Sequence, residues 1–128
     1  MGNAMGNMPN NGINLYFHPD VTPDPLKPPK NDPLDGFPNG RKLRTVKTTE
    51  QEMYSAKIPL NDRDYCIDQL MVFRACRKDN WPFAVNCEHE KHVYLNCQYD
   101  DYVNRMKEYE RERRLMVRAK KLGVEMVA

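Results

Sequence analysis

Residues 65–98 read YCIDQLMVFRACRKDNWPFAVNCEHEKHVYLNCQ and hold all four cysteines, spaced Cys66-x9-Cys76-x10-Cys87-x9-Cys97. Two equal spacings flank a turn-forming stretch, Lys78-Asp79-Asn80-Trp81-Pro82. If each Cys-x9-Cys pair lies on a helix, its two sulfurs stand about 15 Å apart along the axis at 1.5 Å per residue. A disulfide tolerates Cα separations of up to about 7 Å, so neither helix can be bridged within itself. Pairing Cys66 with Cys87 and Cys76 with Cys97 needs parallel helices, whereas a short connection makes neighbours antiparallel. The pairing left is nested, Cys66–Cys97 outside and Cys76–Cys87 inside. Ten residues is also close to the i, i+3, i+7, i+10 pattern, so both sulfurs of each helix share one broad face. The expected fold is all-α: an antiparallel helical hairpin stapled twice.

The residues between the sulfurs agree. Asn61 or Asp62, just after Pro59, is a candidate cap for the first helix, whose inner face runs Cys66, Leu70, Phe73, Cys76. Pro82 stands where a first helical residue is expected, and the second helix presents Cys87, Val93, Tyr94 and Cys97. So few apolar side chains cannot hold a hairpin of this length by burial alone. Each staple contributes about 2 to 4 kcal/mol in the loop-entropy description, which decides whether the hairpin folds.

Other cysteine chemistries fit less well. Cys87-x-His89-x2-His92 brings donors close together, but structural zinc sites gather Cys-x2–4-Cys and His-x3–5-His ligands, which nine-residue gaps do not supply. His89 and His92 are read as solvated helix positions, and no metal ligand is assigned. No Cys-x-x-Cys or nucleophile–base pattern supports a redox enzyme. No catalytic residue, cofactor or small-molecule substrate is expected either, since no phosphate loop or oxyanion device accompanies the acids and histidines.

The twin Cys-x9-Cys frame resembles the coiled-coil-helix-coiled-coil-helix (CHCH) family of mitochondrial intermembrane-space proteins. Its flanks narrow the resemblance: Arg63-Asp64-Tyr65-Cys66 before the frame, Asp101-Tyr102-Val103-Asn104-Arg105-Met106-Lys107-Glu108-Tyr109-Glu110-Arg111-Glu112-Arg113-Arg114-Leu115 after it, and Asp32-Pro33-Leu34-Asp35-Gly36-Phe37-Pro38 upstream. Together these look like the beta subcomplex subunit 7 family of NADH dehydrogenase (ubiquinone), accessory subunits of respiratory complex I, over roughly residues 32 to 121. The resemblance implies a non-catalytic subunit at the intermembrane-space side of the inner membrane, with other membrane-arm subunits as partners. It also implies oxidation of the four cysteines by the intermembrane-space disulfide relay, with Leu70 and Phe73 as the apolar patch recognised. The competing reading within the same architecture is a CHCH-type assembly factor or metal-handling protein. Copper transfer, however, needs extra adjacent thiols, and this chain has only 4 cysteines.

Four segments are expected: an arm at 1–40, a basic linker with a short helix at 41–60, the hairpin at 61–100 and a charged helical extension at 101–128. The arm carries eight of the 10 prolines and no helical or alternating period. It reads as extended and irregular, either a disordered tail or a strand of chain that becomes ordered across neighbours. Ile13-Asn14-Leu15-Tyr16-Phe17 and Phe37-Pro38 are its apolar grips. Met1-Gly2-Asn3-Ala4-Met5-Gly6 partly matches an N-myristoylation signal, with Gly6 where serine or threonine belongs. Family members can carry an acyl chain there, which makes Gly2 the candidate lipidation site; one such chain gives only marginal membrane attachment. Neither a secretory signal nor an Arg-rich presequence is recognised, the first basic residue being Lys27.

Thr48 or Thr49 can cap a short helix in which Glu50 and Glu52 complement the N-terminal dipole, ended by Pro59. From Phe83 to Leu122 neither glycine nor proline intervenes, so the second helix can continue far past Cys97. Between Arg105 and Lys121, eight basic residues face three acidic ones (8 − 3 = +5), with Glu110 and Arg114 at i, i+4. Met106, Tyr109, Leu115 and Met116 recur along it, enough for contact with another protein. A solvated helix and a surface for anionic headgroups are the alternatives; no nucleic-acid fold accompanies the basic run. No stretch approaches 18 apolar residues, so attachment to a membrane would be peripheral.

Overall fold

A computed structural model of the chain describes residues 8–123. Its elements are α1 (Met8–Phe17), α2 (Glu50–Ser55), a 3-10 turn (Leu60–Asp62), α3 (Ile67–Asp79), a second 3-10 turn (Ala84–Cys87) and α4 (Glu88–Lys121), with no strand among the described residues. The chain forms two compact units, Leu43–Val103 and a second made of Met1–Lys42 with Asn104–Ala128.

The Leu43–Val103 unit is the stapled hairpin. Cys66 joins Cys97 with Cα atoms 5.8 Å apart, and Cys76 joins Cys87 at 5.9 Å. One bridge ties the start of α3 to α4 and the other ties the end of α3 to the turn before α4, which makes the two helices antiparallel. The hairpin begins and turns differently from the expectation. Asn61 and Asp62 lie in the 3-10 turn, and Cys66 itself is the N-cap of α3, its N–H held by Asp64 Oδ1 at 2.9 Å. Pro82 is not a first helical residue: Phe83 N–H closes a turn onto Asn80 O at 2.7 Å, and the α-helix starts only at Glu88. Phe83, at φ −90° and ψ 73°, lies outside the helical region, so helix cannot propagate from Pro82 through it.

The core is small and reaches beyond the hairpin. Ile58, Ile67 and Leu70 are buried, with Val46, Met53, Ala56, Met71, Phe73 and Tyr94 packed around them. Val46, Met53, Ala56 and Ile58 come from the strap before α2, from α2 itself and from the residues just after it, so this stretch supplies core as well as covering it. Its start is as expected: Thr49 is the N-cap and makes a reciprocal capping box with Glu52. Its end comes before Pro59, in a Schellman motif where Lys57 takes φ 54° and Ile58 N–H bonds back to Met53 O at 3.1 Å. The apolar contact that accompanies such motifs is Ile58 against Met53.

In the other unit, the irregular chain after α1 lies along the outer part of α4, and Leu15 of α1 reaches the groove between them. The helix at Met8–Phe17 was not visible as a period; Pro9 sits in its first turn, where a missing N–H costs nothing. Glu112 and Met116 on α4 are buried, as is Thr22 on the arm. The Lys30 amide donates to Glu112 Oε1 at 3.0 Å, and Lys120 pairs with Asp20 at 2.5 Å. Tyr109 and Met116, expected to meet another protein, instead line a groove of about 390 Å³ with Leu15, Pro19, Pro23 and Pro28 of the same chain.

Candidate functional site

The inner staple sits at the closed end of the hairpin. Asn80, the C-cap of α3, donates from Nδ2 to Cys76 O at 3.0 Å and points the same amide at both sulfurs, 3.4 Å from Cys76 Sγ and 3.7 Å from Cys87 Sγ. Beyond it the loop carries Trp81, Phe83 and Val85, all well exposed. Between the staples Phe73 stacks on Tyr94 with ring centres 6.3 Å apart, and the Arg77 guanidinium lies over Phe73 at 5.5 Å. Burial first, and then the charges of Asp62 and Asp64, hold the Tyr94 hydroxyl above its usual range.

A strap at residues 43–48 crosses both helices. Arg44 pairs with the buried Asp101 of α4 and covers the Tyr65 ring at 4.4 Å. On α3, Asp68 Oδ1 accepts from the Thr48 amide at 2.9 Å and hydroxyl at 2.5 Å, while Oδ2 takes the Lys47 amide at 3.1 Å. Burial pushes this carboxyl up, but those three donors outweigh it and leave it below the ordinary carboxylate range. Sequence reading missed Arg44, Asp68 and Asp101 because nothing local marks a pairing 20 or 57 residues long.

The histidines are not gathered with the sulfurs. His92 lies 3.7 Å from Glu88 one turn away, both side chains open to solvent, and His89 is exposed. The donors that do converge are Cys76 Sγ, Cys87 Sγ and a Glu90 carboxylate oxygen, all within 4.8 Å of one another. Both sulfurs are consumed in the inner disulfide. Leu70 is buried and Phe73 half-buried, so neither forms a patch on the folded surface. Gly2 lies outside the described residues. Along α4, Glu110 is gripped by Arg113 at 2.6 Å and Arg114 at 3.0 Å, as the i, i+4 spacing led one to expect, and the two guanidiniums lower its carboxyl to about 2.

The upstream Asp32–Pro38 segment docks on α4. Arg111 Nη2 donates to the carbonyls of Asp32 at 2.9 Å and Asp35 at 2.7 Å, and the Phe37 ring lies under both Arg41 and Arg111, 4.8 and 5.5 Å from its centre. Gly36 at φ 82° permits the reversal that turns those carbonyls toward one guanidinium. Arg41 also pairs with Glu108.

Residues 47–109, from the strap through both staples, match the family model of the NADH-ubiquinone oxidoreductase B18 subunit (NDUFB7). A Bos taurus protein named NADH dehydrogenase [ubiquinone] 1 beta subcomplex subunit 7 is 48% identical over 79% of this chain and 73% of its own length. Proteins of the same name from Mus musculus and Caenorhabditis elegans are 46% and 42% identical, over 73% and 82% of their lengths. The chain belongs to the B18 subunit family. Within the B18 match fall Asp68, both disulfides, Asn80, Glu90 and Asp101, whereas the docking pair Phe37 and Arg41 precedes it and Arg111 follows it. Among the described residues of this B18 chain, no helix is long and apolar enough to cross a membrane.

Proposed function

We propose that this chain is a non-catalytic accessory subunit of mitochondrial respiratory complex I, held peripherally on the intermembrane-space side of the membrane arm, where it braces neighbouring subunits during and after assembly. The observation that carries the reading is a doubly stapled hairpin on a chain of the B18 family. Two disulfides belong to an oxidising compartment, which favours the intermembrane space over the matrix. They also stiffen a hairpin whose core holds three buried aliphatic side chains, Ile58, Ile67 and Leu70. Trp81, Phe83, Val85 and Leu60 remain for neighbours to cover, and aromatic residues of this kind are enriched at such contacts. A disulfide relay would meet Leu70 and Phe73 before the hairpin closes, because closure buries Leu70.

Replacement of Cys66 by serine tests the role. Complex I content should fall while NADH oxidation by the peripheral arm persists; unchanged assembly contradicts a bracing subunit. Protease added to mitochondria with ruptured outer membranes tests the location. Protection alongside a matrix marker contradicts it, and digestion while that marker survives is expected. Stoichiometric co-purification with NADH:ubiquinone oxidoreductase activity separates a resident subunit from a transient assembly factor.

A further inference from the structure

Glu90 presents an energetic puzzle at the closed end of the hairpin. Its Oε2 is buried and meets no hydrogen-bond donor, although it lies in the first turn of α4 beside the inner disulfide. A buried acceptor left without a donor gives up its hydration and gains nothing in return, the more so when charged. Against a disulfide, which offers no proton, the carboxylate has nothing to accept. It becomes useful if the two sulfurs are thiols.

We propose that, when the Cys76–Cys87 bond is reduced, Cys76 Sγ, Cys87 Sγ and the Glu90 carboxylate form a Zn²⁺ site. The three donor atoms already lie within 4.8 Å of one another. Tetrahedral zinc with Zn–S bonds of about 2.3 Å holds its sulfurs about 3.8 Å apart, so small side-chain shifts suffice. A dithiol reductant supplies two electrons and two protons and is itself oxidised to a disulfide as the Cys76–Cys87 bond breaks into two thiols; Zn²⁺ then displaces the two thiol protons to solvent, with water as fourth ligand. Two thiolates and one carboxylate match zinc's borderline softness better than the all-oxygen preference of calcium or magnesium. Asn80 completes the arrangement, because its Nδ2 already points at both sulfurs, 3.4 and 3.7 Å away, and donates to thiolates as outer-shell amides do. The outer Cys66–Cys97 pair has no third donor gathered with it among the described residues. In this account the metal preserves the hairpin tip before the staple forms and competes with oxidation for the same two sulfurs.

The test uses the full chain reduced with a phosphine and titrated with Co²⁺ as the spectroscopic probe, then with Zn²⁺ in competition. One equivalent of Co²⁺ should bind with a thiolate charge-transfer band and tetrahedral ligand-field bands, displaced by Zn²⁺. Cys66→Ser/Cys97→Ser should keep this signature and Cys76→Ser should lose it. Glu90→Gln should weaken binding roughly tenfold or more, and Asn80→Ala roughly tenfold. In parallel, Zn²⁺ should protect Cys76 and Cys87, and not Cys66 or Cys97, from alkylation mapped by mass spectrometry. Binding equally tight in Glu90→Gln, protection spread over all four cysteines, or a reduced chain that takes up no metal would each overturn the proposal. The last counts whether or not helicity survives reduction, since the site is required to exist in the reduced chain.

Discussion

Lys57 occupies a left-handed backbone position, φ 54°, at the end of α2, where a side chain crowds its own carbonyl and glycine would not. Replacing it by glycine should raise stability by about 1 kcal/mol, read as a rise in Tm of about 4–8 °C for a unit of this size. An unchanged or lower Tm would contradict the Schellman geometry. Asp68 ties α3 to the strap, and its folded-state carboxyl lies below the usual value. A depressed carboxyl stabilises the fold above its unfolded pKa and loses that contribution as pH falls through the folded one. Glu110, lowered from 4.5 to about 2, acts in the same direction. Thermal stability should therefore be flat near neutrality and decline below about pH 4.5, and Asp68→Asn should be less stable at pH 7 with a shallower acid decline. An identical acid profile in the variant would remove Asp68 from the account. Asp68 was hard to read from sequence because its donors, the Lys47 and Thr48 amides and the Thr48 hydroxyl, lie 20 and 21 residues away. Thr49 and Glu52, three residues apart, were legible for the opposite reason.

At the level of elements, the bridges differ in what they constrain. Cys66–Cys97 closes 31 residues and Cys76–Cys87 closes 11. Loop entropy assigns them about 3.7 and about 2.8 kcal/mol respectively. Replacing the outer pair by alanine should thus cost about 1 kcal/mol more than replacing the inner pair, measured by denaturant unfolding; the reverse order would indicate that strain or residual structure dominates. Ile67, fully buried beside Cys66, should cost about 2–5 kcal/mol on substitution by alanine. The pairing was readable because it follows from helix rise, disulfide reach and the antiparallel sense that a short link imposes. The exact ends of α3 and α4 were not. Asn61 and Asp62 are good caps in isolation, yet α3 starts at Cys66 with no side-chain cap, Asp64 holding only the Cys66 N–H, and Ala84–Cys87 tightens into a 3-10 turn that brings Cys87 to Cys76.

For the whole molecule, the N-terminal arm is the part least visible in the sequence. Its proline content suggested either a disordered tail or chain that becomes ordered across neighbours, but Arg111 of the same chain collects two of its carbonyls and, with Arg41, covers Phe37. Arg111→Ala should release that segment, with faster proteolysis and amide exchange at residues 30–42 and little change in the hairpin; uniform protection would refute the docking. The charge excess that looked like a free basic face is therefore partly occupied by the chain itself. What the fold rests on is the nested order of its two covalent links, and cleavage sites at Arg74, Lys78 and Lys91 separate all four cysteines onto different peptides. Non-reducing tryptic digestion with mass spectrometry, after alkylation of the native protein, should find Cys66 linked to Cys97, Cys76 linked to Cys87 and no sulfur labelled. A crossed pairing, or any cysteine alkylated before reduction, would contradict it.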